Sequence, residues 1–336
     1  MPRQPRLDAP GALHHVMGRG IERTNIFRTN QDRDDFLNRL ANQCLEGNIV
    51  VYAWCLLSNH FHLLVRTGRQ PLSRVMKKLL TGYVVNFNLR HKRTGHLFQN
   101  RYKSIICEDD PYLLELTRYI HLNPLRAGMV SNLGELDYYR WVGHSAIMGR
   151  VKREWQDIDT VLGYFGRGRK AIGKYEQFVR EGISQGRRPG LVGGGLIRSL
   201  GGWSQVLSLR RKGIKVASDE RILGKEEFIK RLMSEAEERE KETLRLSRRV
   251  PDLATLAERI VEGEGIEESE LRSGMRKKRV AKGRRMFCQL AVGKMGYPGA
   301  AVARFLGVTT SSVNRLTATE EMPDLRKYLK KYLKML

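Results

Sequence analysis

The chain has 336 residues, enough for two domains, and 41% of them are hydrophobic, enough for packed cores. Its charge is strongly unbalanced, because 61 lysines and arginines face 36 acidic residues and give a formal net charge of +25. A Lys or Arg placed near a phosphate displaces condensed counterions, so this excess favours a nucleic-acid partner over a merely solubilising surface or a ribosome-like basic protein. The hydrophobic fraction argues against wholesale disorder of the chain.

Cysteine usage and hydropathy restrict the cellular setting. The four cysteines are widely spaced without a C-x-x-C pair, which argues against a zinc ribbon and against a disulfide framework. The basic N-terminus leads into no apolar core and is not typical of a signal peptide. The longest apolar run, 49–57, is far shorter than the roughly 18 residues that a membrane span needs. We expect a soluble, cytoplasmic protein that does not contact membranes.

The first part of the chain alternates between strand and helix patterns. In chain order the predicted elements are an extended segment over 12–20, a helix over 32–45, a hairpin of strands 49–57 and 60–66, a helix over 72–89, an extended segment over 95–108, and a helix over 111–121. Asn123-Pro124 stops the last helix. This order predicts an α+β domain with a small antiparallel sheet.

The composition changes beyond about residue 180. Eight glycines crowd 182–202, which is typical of a linker, and the charge-dense segment 226–248 predicts a solvated helix. Helical periodicity returns from residue 252. The predicted division is 1–150 for the α+β domain, 151–215 for an extension with the linker, and 216–336 for a mostly α-helical domain.

Two histidines alternate with apolar residues on the second strand of the predicted hairpin. Side chains at positions i and i+2 of a strand face the same way, so His60 and His62 share a face while Phe61 and Leu63 pack behind them. Two imidazoles on one face can present two nitrogen ligands to a metal ion. A surface or hydrogen-bonded pair is the alternative for this pattern by itself.

A tyrosine and an asparagine are four residues apart at the end of the predicted helix over 111–121. Tyr119 and Asn123 therefore share a helix face, about one turn apart. Asn123 is a candidate oxygen ligand beside the two histidines, which would set the Tyr119 phenol near a metal-polarised phosphodiester. The alternative is a half-buried tyrosine without chemistry, as most of the 12 tyrosines must be.

Several motifs, in the same order, resemble one family of DNA enzymes. They are Ser58-Asn59-His60-Phe61-His62, the segments 95–102 and 119–128, and Tyr138-Tyr139-Arg140-Trp141 followed by Gly143-His144-Ser145. Over about residues 8 to 150, the chain resembles the HUH single-strand (IS200-like) transposases, and within them the branch called REP-associated tyrosine transposases.

The resemblance implies a ferredoxin-like α+β catalytic domain that acts as a dimer. It implies that Tyr119 is the nucleophile, forms a covalent 5′-phosphotyrosine and releases a 3′-OH. His60, His62 and Asn123 match the positions of the family's ligands for Mg²⁺ or Mn²⁺. The implied substrate is hairpin DNA, cut in the adjacent single strand and rejoined without ATP, so the expected function is DNA transposition.

Other basic residues and histidines near these motifs are expected to have supporting roles. Candidate phosphate contacts are Arg101, Lys103, Arg118 and Arg126. A solvated basic surface explains each of them as well. His121 is two positions from Tyr119 and points elsewhere on a helix, so we expect a supporting role. His14 and His15, on the first strand, are expected to pack or contact DNA rather than bind metal.

The stretch 297–316 fits a helix-turn-helix. Ala303 is small where two helices would cross, Gly307 permits the turn, and Val313 would pack the second helix onto the first. The residues expected to face the major groove of duplex DNA are Ser312, Asn314 and Arg315. The stretch resembles the DNA-binding domain of the bacterial replication initiator, and a basic run over 272–285 would track phosphates beside it. Packing against the catalytic domain is the alternative role.

Two functions from different classes follow. The first is an enzyme that nicks and rejoins single-stranded DNA, and the second is a catalytically silent, sequence-specific DNA-binding regulator with the same fold. Intact His60, His62, Tyr119 and Asn123 favour the enzyme. A metal hydrolase built on the histidine pair is disfavoured, because such enzymes gather further ligands from later strands and no histidine follows His144.

Overall fold

The computed structural model describes residues 11–186 apart from 69, residues 188 and 191, residues 221–235 and 238, and residues 252–319 apart from 276, with 322, 323 and 325. The chain divides into two compact units, 1–231 and 232–336. The predicted helix over 226–248 is helical over 226–235. Apart from residue 238, the rest of that segment lies outside the described residues, as does most of the glycine-rich stretch.

The first unit is built on a βαββαβ arrangement. Its elements are β1 (Leu13–Arg19), α1 (Asn30–Leu45), β2 (Ile49–Leu56), β3 (His60–Thr67), α2 (Leu72–Arg90) and β4 (Lys103–Cys107). Within the described residues these strands lie in the order β2-β3-β1-β4, with antiparallel neighbours throughout. This is the ferredoxin-like order, and it confirms the predicted α+β fold.

Further elements follow β4 in the same unit. They are α3 (Asp109–His121), α4 (Asn123–Arg126), α5 (Leu133–Tyr138), α6 (His144–Ile147), α7 (Ile158–Gly163), α8 (Gly168–Glu181) and β5 (Ile222–Leu223). The last of these, β5, pairs in parallel with β4 and extends the sheet. Val161, Tyr175 and Val179 of α7 and α8 are buried in the core that α3 shares. The N-terminal unit therefore continues well beyond residue 150, because apolar side chains after that point complete its core.

The sheet separates two layers of apolar packing. Phe61 and Leu63 of β3 pack with α1 and α2, whereas Leu64 packs with α3 on the opposite face. Since strand side chains alternate, His60 and His62 lie on the face of Leu64. The predicted common face of the two histidines is thus the face that α3 covers.

The free edge of β2 is covered by the chain that follows α5. The Leu56 N–H donates to the Trp141 carbonyl at 2.9 Å, and the Trp54 carbonyl accepts from the Gly143 N–H at 2.9 Å. Further along, the Gln156 side chain bonds both the Trp54 indole and the backbone at Tyr52. These bonds satisfy backbone groups that an open edge strand would present to another chain.

The second unit is helical, as predicted. Its described elements are α9 (Leu253–Glu264), α10 (Glu268–Leu271), α11 (Lys278–Cys288), a π-helical segment (Gln289–Lys294), α12 (Gly299–Leu306) and α13 (Thr310–Ala318). Between α12 and α13, Gly307 adopts φ 65°, a left-handed conformation that glycine accepts without strain. Thr309 then caps α13 by accepting from the Ser312 N–H, and Val313 is fully buried.

None of the helices in the described part of the chain is long and apolar enough to cross a membrane.

Candidate functional site

A cavity of about 920 Å³ opens beside β1, β3 and the C-terminal end of α3. The predicted nucleophile and all three predicted ligands line it, namely Tyr119, His60, His62 and Asn123. The two histidines come from β3, whereas Tyr119 and Asn123 come from the end of α3 and the start of α4. Folding therefore brings together residues that two separate motifs supply.

The two histidines of β3 lie close to each other and to the tyrosine. The ring centroids of His60 and His62 are 5.2 Å apart, and those of His62 and Tyr119 are 6.0 Å apart. Burial lowers the pKa of His60 to about 4, with a smaller contribution from the charge of Arg19. Burial likewise holds the pKa of His62 well below its ordinary value. Both imidazoles are neutral at physiological pH, which is the state that binds a metal.

The proton position on His60 follows from its hydrogen bond. Its Nδ1 lies 2.6 Å from Oδ1 of Asn59, while the Nδ2 of Asn59 donates to the Arg23 carbonyl at 3.1 Å. The second bond fixes the amide orientation, so the Asn59 oxygen must accept a proton from His60 Nδ1. The lone pair of neutral His60 therefore lies on Nε2.

Asn123 stands at the junction of α3 and α4. Its Nδ2 donates to the carbonyls of Tyr119 at 3.1 Å and of Ile120 at 3.3 Å, which belong to the last turn of α3. Because the amide nitrogen is used in this way, the amide oxygen is the atom available as a ligand. The same bonds hold Asn123 and Tyr119 in a fixed relation.

The chemistry of these donors decides which metal they suit. Among the described residues, no three or more His, Cys, Asp or Glu side chains are arranged so that they could hold a metal ion by themselves. Two neutral imidazoles and one amide oxygen instead form a mixed nitrogen–oxygen set. Such a set, with positions left open for phosphate oxygens, is compatible with Mn²⁺ or Mg²⁺.

The cavity is strongly basic. The cationic residues that line it are Arg19, Arg23, Arg101, Lys103, Arg126 and Arg188. Three of the four predicted phosphate contacts of the N-terminal domain are among them. Arg19, Arg23 and Arg188 were not predicted from the sequence. Arg19 had one available signal, since it follows His15 and Met17 on the same face of β1, but its position opposite His60 depends on strand register.

Arg118 is the exception among the predicted contacts, and its expected role needs correction. Its side chain is buried, pairs with Glu115 at 2.7 Å and lies 4.1 Å from the centre of the Phe178 ring. It is adjacent to Tyr119 in sequence but about 100° away around the helix. Arg118 therefore joins α3 to α8, and a guanidinium held in this way is not available to a phosphate in the cavity.

The neighbouring histidines are all buried. His121 lies away from the cavity lining, with its Nδ1 2.7 Å from the Tyr175 hydroxyl. His14 lies 2.9 Å from the Ser104 hydroxyl. His15 has no exposed surface and contacts His62 directly. The structure thus has His14 and His15 packed inside the protein, which is one of the two roles expected for them.

The predicted major-groove residues lie on α13 of the second unit. Asn314 and Arg315 are exposed, and Ser312 is partly exposed beside the Thr309 cap. Arg315 lies on the side of α13 roughly opposite Val313, which faces the core of that unit, and Asn314 lies about 100° around the helix from Val313.

Comparison with known proteins bears on the N-terminal part of the chain. A family model described as "Transposase IS200 like" matches residues 11–123. A solved structure described as "Structure of the REP associates tyrosine transposase bound to a REP hairpin" is 15% identical, with a TM-score of 0.37 over 47% of this chain and 90% of that one. No curated protein matches. The chain is therefore similar to the IS200-like transposases over residues 11–123, a segment that contains His60, His62, Tyr119 and Asn123.

Proposed function

We propose that the N-terminal unit cuts and rejoins single-stranded DNA with Tyr119 as the nucleophile. The observation that carries this proposal is the meeting of Tyr119, His60, His62 and Asn123 in one basic cavity. The similarity of residues 11–123 to a transposase family supports it. Neither the helix periodicity of Tyr119 nor the strand periodicity of the histidines requires them to meet, so their convergence favours chemistry over packing alone.

The reaction is a transesterification. The Tyr119 hydroxyl oxygen attacks the phosphorus of a phosphodiester, and the bond from phosphorus to the 3′ oxygen breaks. The phenol loses a proton to solvent and the leaving oxygen takes one up, which gives a free 3′-OH and a 5′-phosphotyrosine. Rejoining is the reverse reaction with the 3′-OH of another end, and Tyr119 regains its proton. Because one ester replaces another, no ATP is consumed.

The remaining residues bind and orient the substrate. His60, His62 and Asn123 would hold Mg²⁺ or Mn²⁺, which when bound polarises the scissile phosphate and offsets its charge. Arg101 and Lys103 hold the phosphates of the entering strand at the cavity wall. Arg126, whose guanidinium donates to two backbone carbonyls, adds positive charge beside Tyr119. The positive charge of these three residues opposes the repulsion between successive phosphates of a strand that bends into the site.

The proposed DNA partners include hairpin and duplex DNA in addition to the strand that is cleaved. The resemblance to REP-associated tyrosine transposases implies hairpin DNA next to the cleavage position, and we propose a hairpin as the recognised structure and a homodimer as the acting form. We further propose that α12 and α13 bind duplex DNA, with Ser312, Asn314 and Arg315 in the major groove. The exposure of Asn314 and Arg315 on α13 supports this role.

The test uses labelled hairpin oligonucleotides with a single-stranded flank, incubated with the protein and Mn²⁺ or Mg²⁺ and separated on a denaturing gel. The wild type should give a covalent adduct that requires metal. Tyr119→Phe should give none, while Tyr112→Phe, a half-buried tyrosine on the same helix, should react like the wild type. An adduct that persists in Tyr119→Phe refutes the assignment of the nucleophile.

The same experiment separates the enzyme from the silent regulator. Binding of hairpin DNA without an adduct, across a broad pool of flanking sequences and both metals, would favour a DNA-binding regulator that keeps the transposase fold. Release of the adduct on addition of a strand with a free 3′-OH would establish rejoining.

A further inference from the structure

A chain of hydrogen bonds runs from the proposed ligand His62 to a residue far outside the transposase family match. The Nδ1 of His62 lies 3.0 Å from Nε2 of His15, and the Nδ1 of His15 lies 3.1 Å from the carbonyl oxygen of Leu191. All three residues are buried, with His15 wholly inaccessible to solvent. Each ring nitrogen of His15 is thus engaged by a protein atom.

The Leu191 carbonyl at one end decides which atom donates and which accepts in each of these hydrogen bonds. A carbonyl oxygen can only accept, so the Nδ1 of His15 must carry the proton that it donates to Leu191. The ring of His15 has no exposed surface, and burial favours the neutral imidazole, so its Nε2 has a lone pair. That lone pair accepts from the Nδ1–H of His62. Neutral His62 then has its own lone pair on Nε2.

We infer that His15 is a positioning residue which, held by the carbonyl of Leu191, fixes His62 in the Nδ1–H tautomer and so keeps its Nε2 free for a metal ion. The metal part of this inference rests on the proposed function, whereas the tautomer does not. His15 itself is not a ligand, because both of its nitrogens are used. A partner that orients a ligating imidazole commonly raises metal affinity by about 10–100-fold.

The proposed site extends beyond residues 11–123, which match the family model. Leu191 is supplied by the segment after α8, and the same segment contributes Arg188 to the cavity wall. At the end of α8, the Gly182 carbonyl accepts from Nη2 of Arg126 at 3.2 Å. Gly182 and Leu191 therefore act on the site through their backbone carbonyls, and Arg188 acts through its cationic side chain.

The first experiment measures the tautomers directly in the full chain. Protein labelled with ¹⁵N at histidine is examined by long-range ¹H–¹⁵N correlation without metal, with His62 assigned by the loss of its signals in His62→Gln. Protonated Nδ1 and unprotonated Nε2 are expected for both His15 and His62. In His15→Phe, the His62 signals should shift toward the Nε2–H tautomer. A wild-type His62 that carries its proton on Nε2 would overturn the inference.

The second experiment measures Mn²⁺ binding by the same variants with calorimetry, independently of any DNA reaction. His15→Phe should bind about 10–100-fold more weakly than the wild type. His15→Gln should recover most of the loss, because its amide oxygen can accept from His62 and its amide nitrogen can donate to Leu191. His14→Phe, the neighbouring buried histidine whose ring faces Ser104, is the matched control and should bind normally.

The two experiments separate failure of the inference from failure of the proposed function. Unchanged Mn²⁺ affinity in His15→Phe would overturn the role of His15 in metal binding, and the wild-type tautomer remains decisive even if that variant does not fold. A wild type that binds no Mn²⁺ but has the expected tautomers would instead refute the proposed metal site, while supporting the control of His62 by His15.

Discussion

The guanidinium of Arg126 lies 5.4 Å from the centre of the Tyr119 ring, and its Nη1 donates to the Tyr119 carbonyl at 3.2 Å. Its Nη2 donates to the Gly182 carbonyl. Burial lowers the pKa of Arg126 below its ordinary value, but a guanidinium so basic stays charged at neutral pH. One side chain thus ties the end of α3 to the end of α8 and places a positive charge beside the proposed nucleophile.

We predict that Arg126→Met slows formation of the tyrosine–DNA adduct by about 100-fold, since it removes a fixed positive charge next to the reacting oxygen and phosphate. Arg126→Lys, which keeps the charge but not the planar fork, should fall between this variant and the wild type. Single-turnover rates on a labelled hairpin measure the effect. If Arg126→Met reacts at the wild-type rate, Arg126 has only a structural role.

A buried cluster joins α8 to the rest of the N-terminal unit. The Tyr175 hydroxyl lies 2.7 Å from Nδ1 of His121 and 2.9 Å from Nδ1 of His144, whose Nε2 lies 2.8 Å from Asp137. Tyr175→Phe leaves buried ring nitrogens without a partner, so we predict a loss of about 1–3 kcal/mol in the free energy of unfolding.

Urea denaturation monitored by circular dichroism measures this loss. Tyr164→Phe, at a half-exposed tyrosine just before α8, is the control and should stay within about 0.5 kcal/mol of the wild type. A Tyr175→Phe variant as stable as the wild type would mean that α8 is not part of the cooperative core.

Asp32 holds the start of α1 against the end of α2. Its carboxylate is fully buried and accepts from the N–H groups of Arg28 and Thr29 and from the side chains of Arg90 and His91. Burial alone would raise the pKa of Asp32, but these hydrogen bonds outweigh it and the pKa lies below its ordinary value. We predict that Asp32→Asn costs about 3 kcal/mol at pH 7, because it leaves buried partners uncompensated.

The sign of the pH dependence follows from the lowered pKa. The stabilisation is fully present above the pKa of an unfolded Asp, about 3.9, and is lost as the pH falls through the lower folded value. The difference in unfolding free energy between wild type and Asp32→Asn should therefore shrink when denaturation is measured near pH 3. Asp34→Asn, two residues further along α1, should not change this dependence. A difference that grows with acidity would contradict the prediction.

The duplex-binding role of the second unit predicts a separation of functions. Arg315→Ala should weaken binding to a duplex selected from a random pool by about 1–3 kcal/mol, because an exposed arginine on α13 would contact a base edge or phosphate. Fluorescence anisotropy at fixed salt measures the loss. Arg259→Ala, an exposed arginine on α9, is the control. Hairpin cleavage by Arg315→Ala should equal that of the wild type, and reduced cleavage would argue against independent DNA sites.

Local patterns were sufficient to predict much of this protein. Period-two alternation predicted the strands and the common face of His60 and His62, and Asn123-Pro124 predicted the end of α3. Gly307 and Val313 were likewise predicted at the turn and the core of the helical unit. These features depend on residues close in sequence, whose relative directions are set by strand and helix geometry.

Tertiary structure decided which of the predicted cationic residues line the cavity. Arg118 and Arg126 flank Tyr119 in sequence, yet one pairs with Glu115 and packs on Phe178 while the other lines the cavity. No periodicity distinguishes them, because the difference depends on where α8 packs. The predicted end of the first domain at residue 150 came too early for the same reason, because the side chains of α7 and α8 complete its core.

The sequence by itself thus determined which residues are candidate reactive groups and on which face of its element each of them lies. Only the tertiary structure decided that Tyr119, the histidine pair and Arg126 share one cavity, and that the Leu191 carbonyl reaches His15 across the first unit. The physical reason is that local backbone geometry fixes directions over a few residues. Contacts across a hundred residues depend on how whole layers pack.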